Sequence, residues 1–141
     1  DETIRRLRTR NLIMVGDRLD TDIAGARRAG LDSLLVLSGS HGKADLCAAR
    51  ADERPTWLAS DVSGLLTPGR QAVIEPGQVR CRSVTAKVSG GVIELDSIPS
   101  DRDGQVDALW AVANLVWTTD TSVAEPVIDW WTVIATLDLV P

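Results

Sequence analysis

The fold is decided by one stretch of the chain, residues 12–25, which reads LIMVGDRLDTDIAG. Its four apolar residues, ended by Gly16, predict a short buried strand of a parallel sheet. The residues that follow have helical periodicity, with Thr21 or Asp20 as the predicted N-cap and Gly30 as the C-cap. A strand that ends in an acidic turn beside a helix start can hold a divalent cation and a phosphate. The carboxylates of this turn are Asp17, Asp20 and Asp22.

Strands and helices alternate downstream of this stretch. Residues 34–37 predict a second apolar strand, residues 43–50 a short amphipathic helix and residues 55–58 a third strand. Asp61 is predicted to cap a last helix that runs through Leu66. This alternation predicts an α/β fold, a partial Rossmann-like parallel sheet with flanking helices.

The pattern changes at residues 67–72, where Pro and Gly interrupt it. Residues 83–88 and 92–95 alternate around two glycines and predict a β-hairpin. Residues 105–117 predict an amphipathic helix. The tail, residues 123–140, is apolar and rich in Trp, and its pattern fits a helix after its proline as well as a strand.

We therefore expect two parts, residues 1–66 with the parallel sheet and residues 67–141 as a small α+β extension. Trp130 and Trp131 in the apolar tail suggest a buried or dimer-facing surface. The extension is thus interpreted as a dimerisation module or, by the resemblance described next, as an acetyltransferase-like unit.

Several motifs in one order resemble the haloacid dehalogenase superfamily of phosphatases. Gly16-Asp17, followed after four residues by Asp22 and then by Ala24-Gly25, is similar to the fourth motif of that superfamily. Residues 29–39, AGLDSLLVLSG, and residues 54–66, RPTWLASDVSGLL, resemble the C-terminal half of the core in one subfamily. That subfamily includes the nitrophenylphosphatases and the sugar- and glycerol-phosphate phosphatases. Some of its actinobacterial members carry an acetyltransferase-like extension, although no acetyl-coenzyme A motif is seen here.

The resemblance implies a reaction and a cofactor. Asp17 matches the family's Mg²⁺-binding aspartate, and Asp22 matches the second acidic position, which orients ligands or holds the loop; both are candidate catalytic residues. Asp20 has no role in the family, and a helix cap is its expected function. The implied activity is hydrolysis of small phosphate monoesters, such as glycerol phosphate or p-nitrophenyl phosphate, through an aspartyl-phosphate intermediate. A small phosphorylated metabolite is the implied partner.

The family's nucleophile, an aspartate in an Asp-x-Asp-Gly motif after a buried strand, has no counterpart before residue 12. Residues 101–104 copy that motif, but the Pro-containing polar stretch at 96–100 cannot form a buried strand, so a loop is expected there. We therefore expect the chain to be the C-terminal piece of a longer enzyme, with its nucleophile elsewhere. The isolated chain is expected to be inactive, to expose apolar surface, and to form a homodimer or associate with the missing N-terminal half.

Composition excludes several function classes. A net charge of −5 argues against nucleic acid as a partner, and an arginine cluster at residues 5–10 reads as a solvated face or linker. No apolar run is long enough to cross a bilayer, and Cys47 and Cys81 lack metal-ligand spacing. A cytoplasmic protein with reduced cysteines is expected. His41, the only histidine, follows the second strand as a general base or as a loop residue near the substrate.

Two functions of different classes remain open. The first is a Mg²⁺-dependent phosphatase whose acidic loop lies in this chain. The second is a catalytically silent interaction or dimerisation module. Dinucleotide binding is disfavoured because no G-x-G-x-x-G follows the strand at Leu12.

Overall fold

A computed structural model describes residues 12–119 and 128–141. The predicted parallel sheet is present, with strands in the order β1-β2-β3. The strands are β1 (Ile13–Gly16), β2 (Asp32–Val36) and β3 (Trp57–Ala59). Val15 of β1 pairs with Leu34 of β2, whose neighbour Leu35 pairs with Leu58 of β3. Four consecutive residues of β2 are buried, as expected for a strand covered on both faces.

Short helical segments connect the parallel strands. A π-helical turn (Leu19–Ile23) runs directly into helix α1 (Ala24–Arg28), and helix α2 (Lys43–Cys47) follows β2. The C-cap of α1 is Ala29 and not Gly30 as predicted; Gly30 follows it with φ of 70°, the left-handed conformation in which glycine commonly ends a helix. The last predicted helix is a 3₁₀ turn (Val62–Leu66), and its cap is confirmed because the Asp61 side chain accepts from the Ser63 N–H at 2.8 Å.

A four-stranded antiparallel sheet follows, in the order β4-β5-β6-β7. The predicted hairpin is confirmed as β6 (Val84–Ser89) and β7 (Val92–Leu95). A second hairpin precedes it, formed by β4 (Ala72–Glu75) and β5 (Gln78–Cys81), and it was not predicted. Together with the parallel sheet, this sheet confirms the predicted α/β fold class with an additional β-containing part.

Helix α3 (Arg102–Thr119) is the longest element and lies between the two sheets. Every residue from 105 to 113 is buried, so the helix is covered on all sides. The prediction of an amphipathic helix is therefore wrong for this part of α3. It contacts β5 and β6 on one side and α2 and β3 on the other. Its first turn includes residues 102–104, where a loop was expected, because the Asp101 carboxylate caps it by accepting from the Gly104 N–H at 3.0 Å.

The C-terminal segment packs back onto the rest of the chain. It contains the short helix α4 (Trp131–Ile134), and Leu137 and Leu139 are buried in the main core. The main core joins residues of both predicted parts in one cluster. Residues 123–127, the first part of the predicted tail, lie outside the described residues. The arginine cluster at residues 5–10 lies outside them as well. No helix among the described residues is long and apolar enough to span a bilayer.

Candidate active site

Asp17 lies directly after β1, at the carboxyl end of the parallel sheet. Open α/β sheets place their ligands at this edge. The Asp17 side chain is half-buried, and two hydroxyl groups from the loop after β2 donate to its Oδ2 atom. Both Ser38 Oγ and Ser40 Oγ lie 3.0 Å from that oxygen. These hydrogen bonds hold the pKa of the Asp17 carboxyl below its ordinary value, so it stays ionised.

Asp22 turns back into the loop that precedes it. Its Oδ2 atom accepts from the backbone N–H of Asp17 at 3.2 Å and of Arg18 at 3.3 Å. These two hydrogen bonds hold the acidic turn in one conformation. Asp22 itself lies in the π-helical turn, and π-helical turns are often found at functional sites. The position of Gly16 allows the close approach, because a Cβ there would overlap the Asp22 side chain.

Asp20 differs from its predicted role as a helix cap. Its two carboxylate oxygens accept from the Arg18 side chain, Oδ1 from Nε at 3.1 Å and Oδ2 from a terminal nitrogen at 2.9 Å. The Arg18 guanidinium therefore lowers the pKa of Asp20. The π-helical turn begins after Arg18 without any side-chain cap. This ion pair offsets the charge of the Asp20 carboxylate.

His41 connects the loop after β2 to the acidic turn. The imidazole Nδ1 atom of His41 accepts from the backbone N–H of Leu19 at 2.8 Å. The backbone N–H of His41 donates to the Asp17 carbonyl at 3.2 Å. Since Nδ1 is occupied by a backbone donor, the imidazole holds two loops together at this edge of the sheet. Sequence reasoning placed His41 near the site but missed this function.

The structure thus brings Asp17 and Asp22 together with Ser38, Ser40 and His41. Ser38 lies in the motif of residues 29–39 and Ser40 directly follows that motif, and neither has a predicted role. Their only signal in the sequence is their position after the second strand, whose carboxyl end meets the same edge as that of the first. Asp101 and Asp103, in the copy of the nucleophile motif, lie at the start of α3, and Asp103 pairs with Arg70 and Arg82.

Comparisons with known proteins agree with this arrangement. Residues 1–65 match the protein-family model described as HAD-hydrolase-like, where HAD stands for haloacid dehalogenase. The chain is 36% identical over 121 residues to the D-glycerol 3-phosphate phosphatase of Mycobacterium tuberculosis, an alignment that covers 82% of this chain and 33% of that protein. It is also 40% identical over 58 residues to phosphoglycolate phosphatase 2 of Arabidopsis thaliana, covering 41% of this chain and 19% of that protein.

A solved structure shows the same fold. The crystal structure of a glycerol phosphate phosphatase from M. tuberculosis in complex with magnesium superposes with a TM-score of 0.65 at 32% identity. The match covers 86% of this chain and 35% of that chain. The similarity to the haloacid dehalogenase superfamily thus includes the parallel sheet and its acidic turn. Within it, the chain is similar to the glycerol phosphate phosphatases of M. tuberculosis and spans about a third of their length.

The M. tuberculosis similarity continues beyond the parallel sheet. Its alignment of 121 residues is longer than residues 1–66 and therefore extends into residues 67–141. The antiparallel sheet and α3 accordingly belong to the region that this chain shares with a glycerol phosphate phosphatase.

Proposed function

We propose that this chain supplies the cation-binding acidic loop of a phosphatase that acts on small phosphate monoesters such as glycerol phosphate. One observation carries the proposal, the position of an ionised Asp17 at the carboxyl end of β1 inside a network formed by the next strand's loop. The similarity to glycerol phosphate phosphatases supports this substrate class.

Mg²⁺ is the proposed cofactor, and the donor chemistry around Asp17 fits it. The described residues contain no group of three or more His, Cys, Asp or Glu side chains that could enclose a metal ion. Mg²⁺ does not need such a group, since it is commonly held by one or two carboxylates, several waters and substrate phosphate oxygens. Asp17 would hold the ion. When bound, Mg²⁺ neutralises charge on the phosphoryl group.

The chain's own residues have distinct parts in this proposal. Asp17 presents a carboxylate that remains ionised because hydroxyl groups donate to it. Asp22 and His41 keep the acidic turn in place through backbone hydrogen bonds. The nucleophile is a carboxylate outside this chain, which attacks phosphorus, releases the alcohol and forms an aspartyl phosphate that water hydrolyses. The isolated chain should therefore leave p-nitrophenyl phosphate intact.

A chimera tests the proposal. In it, this chain replaces the matching third of the M. tuberculosis D-glycerol 3-phosphate phosphatase, and phosphate release from glycerol 3-phosphate is measured with Mg²⁺. We expect activity that Asp17→Asn reduces by at least about 10³-fold, because a metal ligand acts directly on transition-state charge. Asp20→Asn is the matched control, with an expected loss below about tenfold, because within residues 12–119 and 128–141 the Asp20 carboxylate pairs only with exposed Arg18. An active Asp17→Asn chimera would refute the proposal.

The alternative of an interaction module is favoured by one observation. Val62, Leu65 and Leu66 of the 3₁₀ turn and Met14 of β1 are exposed, and among the described residues β1 pairs only with β2. Uncovered strand edges and apolar patches pair with other chains. Under the phosphatase proposal the rest of the enzyme covers this surface; under the alternative a second copy does. Full activity of the chimera as a monomer would favour the first.

A further inference from the structure

The two serine hydroxyls meet on a single oxygen of the Asp17 carboxylate. Ser38 and Ser40 flank Gly39, whose φ of 121° is a conformation that L side chains rarely adopt. This turn directs both Oγ atoms to the same Oδ2 atom, each at 3.0 Å. A carboxylate oxygen that accepts two hydroxyl hydrogens has its lone pairs occupied.

The rest of Asp17 is also fixed. Its N–H donates to Asp22 Oδ2 and its carbonyl accepts from the His41 N–H. Among the described residues, no hydrogen bond reaches its Oδ1 atom, so this oxygen is the one acceptor left for a cation. The carboxylate plane cannot rotate without breaking both serine hydrogen bonds.

We propose that Ser38 and Ser40 are positioning residues, which orient the Asp17 carboxylate so that it binds Mg²⁺ through Oδ1 alone. The inference rests on the proposed function, since it assumes that Asp17 is a ligand. Partners that orient metal ligands from behind contribute substantially to affinity in other metal sites. Neutral hydroxyls suit this task because they fix the carboxylate without cancelling its charge, as an arginine would. Their hydrogen bonds also favour the ionised form of Asp17.

Binding of Mn²⁺, as a paramagnetic substitute for Mg²⁺, tests the inference on this chain without any need for turnover. Free Mn²⁺ is measured by electron paramagnetic resonance during titration of the wild-type chain and its variants. We expect the Ser38→Ala/Ser40→Ala double variant to bind Mn²⁺ about tenfold more weakly than wild type. The Ser38→Thr/Ser40→Thr variant keeps both hydroxyls and should recover most of the affinity.

Ser63→Ala is the matched control. Ser63 also donates its hydroxyl to an aspartate, Asp61, but in the 3₁₀ turn after β3 and not at the acidic loop. Its loss should leave Mn²⁺ affinity unchanged. Because Ser38 and Ser40 are exposed, their removal should lower the unfolding midpoint of the metal-free chain only slightly, so that the chain stays folded and a tenfold loss of Mn²⁺ affinity reports positioning and not unfolding.

The outcomes distinguish this inference from the proposed function. If Asp17→Asn removes Mn²⁺ binding but the double alanine variant binds as tightly as wild type, or more tightly, the positioning role is wrong and the proposed function stands. If Asp17→Asn leaves binding unchanged, or the wild-type chain binds no Mn²⁺, both are wrong. A tenfold loss with threonine rescue supports both.

Discussion

Gly16 is the residue on which the packing of the acidic turn depends. A Cβ atom at this position would overlap the Cβ and carboxylate of Asp22. The Asp22 carboxylate cannot move away freely, because the backbone N–H groups of Asp17 and Arg18 donate to it. Gly16→Ala should therefore destabilise the chain by about 1–3 kcal/mol through overpacking. The measurement is urea unfolding of both chains. Gly25→Ala is the control, because a Cβ at Gly25 meets only the end of the Arg28 side chain, at 3.7 Å, and helix propensity favours Ala. A larger loss of unfolding free energy in Gly25→Ala than in Gly16→Ala would contradict the overpacking at Gly16.

Asp17 should titrate below its ordinary pKa of 3.8, because Ser38 and Ser40 donate to its ionised form. Ionised Asp17 therefore stabilises the folded chain at pH values above 3.8. This stabilisation is lost as the pH falls through the lowered pKa of Asp17 in the folded chain. Carbon-detected NMR of the side-chain carboxyl measures the midpoint. We expect the Ser38→Ala/Ser40→Ala variant to shift the midpoint upward, toward 3.8. An unchanged midpoint would show that the hydroxyls do not bond to the carboxylate in solution.

At this scale the sequence located the acidic turn but not all of its contacts. Asp17 and Asp22 could be placed because they follow a strand at close spacing. The serine contacts depend on the register of β2 beside β1, which places residues 21 and 23 positions apart within hydrogen-bond reach. A helix cap is predicted for Asp20 because short polar residues favour helix starts, but in the structure both of its carboxylate oxygens accept from the side chain of Arg18, two residues before it.

At the scale of secondary-structure elements, the start of α2 is coupled to the end of the chain. Gly42 precedes α2, and a Cβ at this position would overlap the carbonyl groups of Val140 and Pro141. The Lys43 N–H also donates to the Val140 carbonyl at 2.8 Å, and its ammonium group donates to the Leu137 carbonyl at 2.6 Å. The loop that carries Ser38 and Ser40 is thus followed at once by a segment bound to the C-terminal residues.

Gly42→Ala should release this contact and destabilise the chain by about 1–3 kcal/mol, since backbone atoms cannot move aside as a flexible side chain can. Thermal unfolding measures the loss. The control is a double-mutant cycle with a chain that ends at Leu137, in which Gly42→Ala should cost almost nothing further. Equal losses in both backgrounds would mean that the clash lies elsewhere.

The elements themselves were predictable where periodicity was strong. The apolar runs of β1 and β2 and the two-glycine hairpin were found because each has an unambiguous pattern. The hairpin of β4 and β5 was missed, although its Pro76-Gly77 turn between residues 72–75 and 78–81 was a usable signal. The apolar periodicity predicts α3 correctly but predicts it to be amphipathic, because the burial of its second side depends on the parallel sheet that packs there.

At the scale of the whole molecule, a buried ion pair connects the parallel sheet to the central helix. The Arg70 guanidinium, 8% exposed, donates to Asp107 Oδ1 at 2.7 Å and to the Leu58 carbonyl of β3 at 2.9 Å. Asp107 is on α3, so these contacts join the end of the parallel sheet to the central helix. Burial raises the pKa of Asp107, and the Arg70 charge opposes that shift. The division into residues 1–66 and 67–141 stays a prediction.

Asp107→Ala should destabilise the chain by about 3–5 kcal/mol, because it removes the buried partner of the Arg70 charge and leaves it only the exposed Asp103 carboxylate. Guanidinium chloride unfolding measures the loss. Asp103→Ala is the matched control, since its side chain also pairs with Arg70 but is 66% exposed, and its loss should stay below about 1 kcal/mol. The Arg70→Met/Asp107→Leu variant should be more stable than Asp107→Ala alone; the opposite order would contradict the account.

The central claim is that Asp17 is the chain's contact to the catalytic cation. A crystal of the chain soaked in Mn²⁺, measured at a wavelength where manganese scatters anomalously, tests it directly. The account predicts an anomalous peak at about 2.1 to 2.2 Å from Asp17 Oδ1, near the metal–oxygen distances of such hard cations, with the serine hydroxyls still on Oδ2. A peak at another carboxylate, such as Asp20 or Asp52, with none at Asp17 would contradict it.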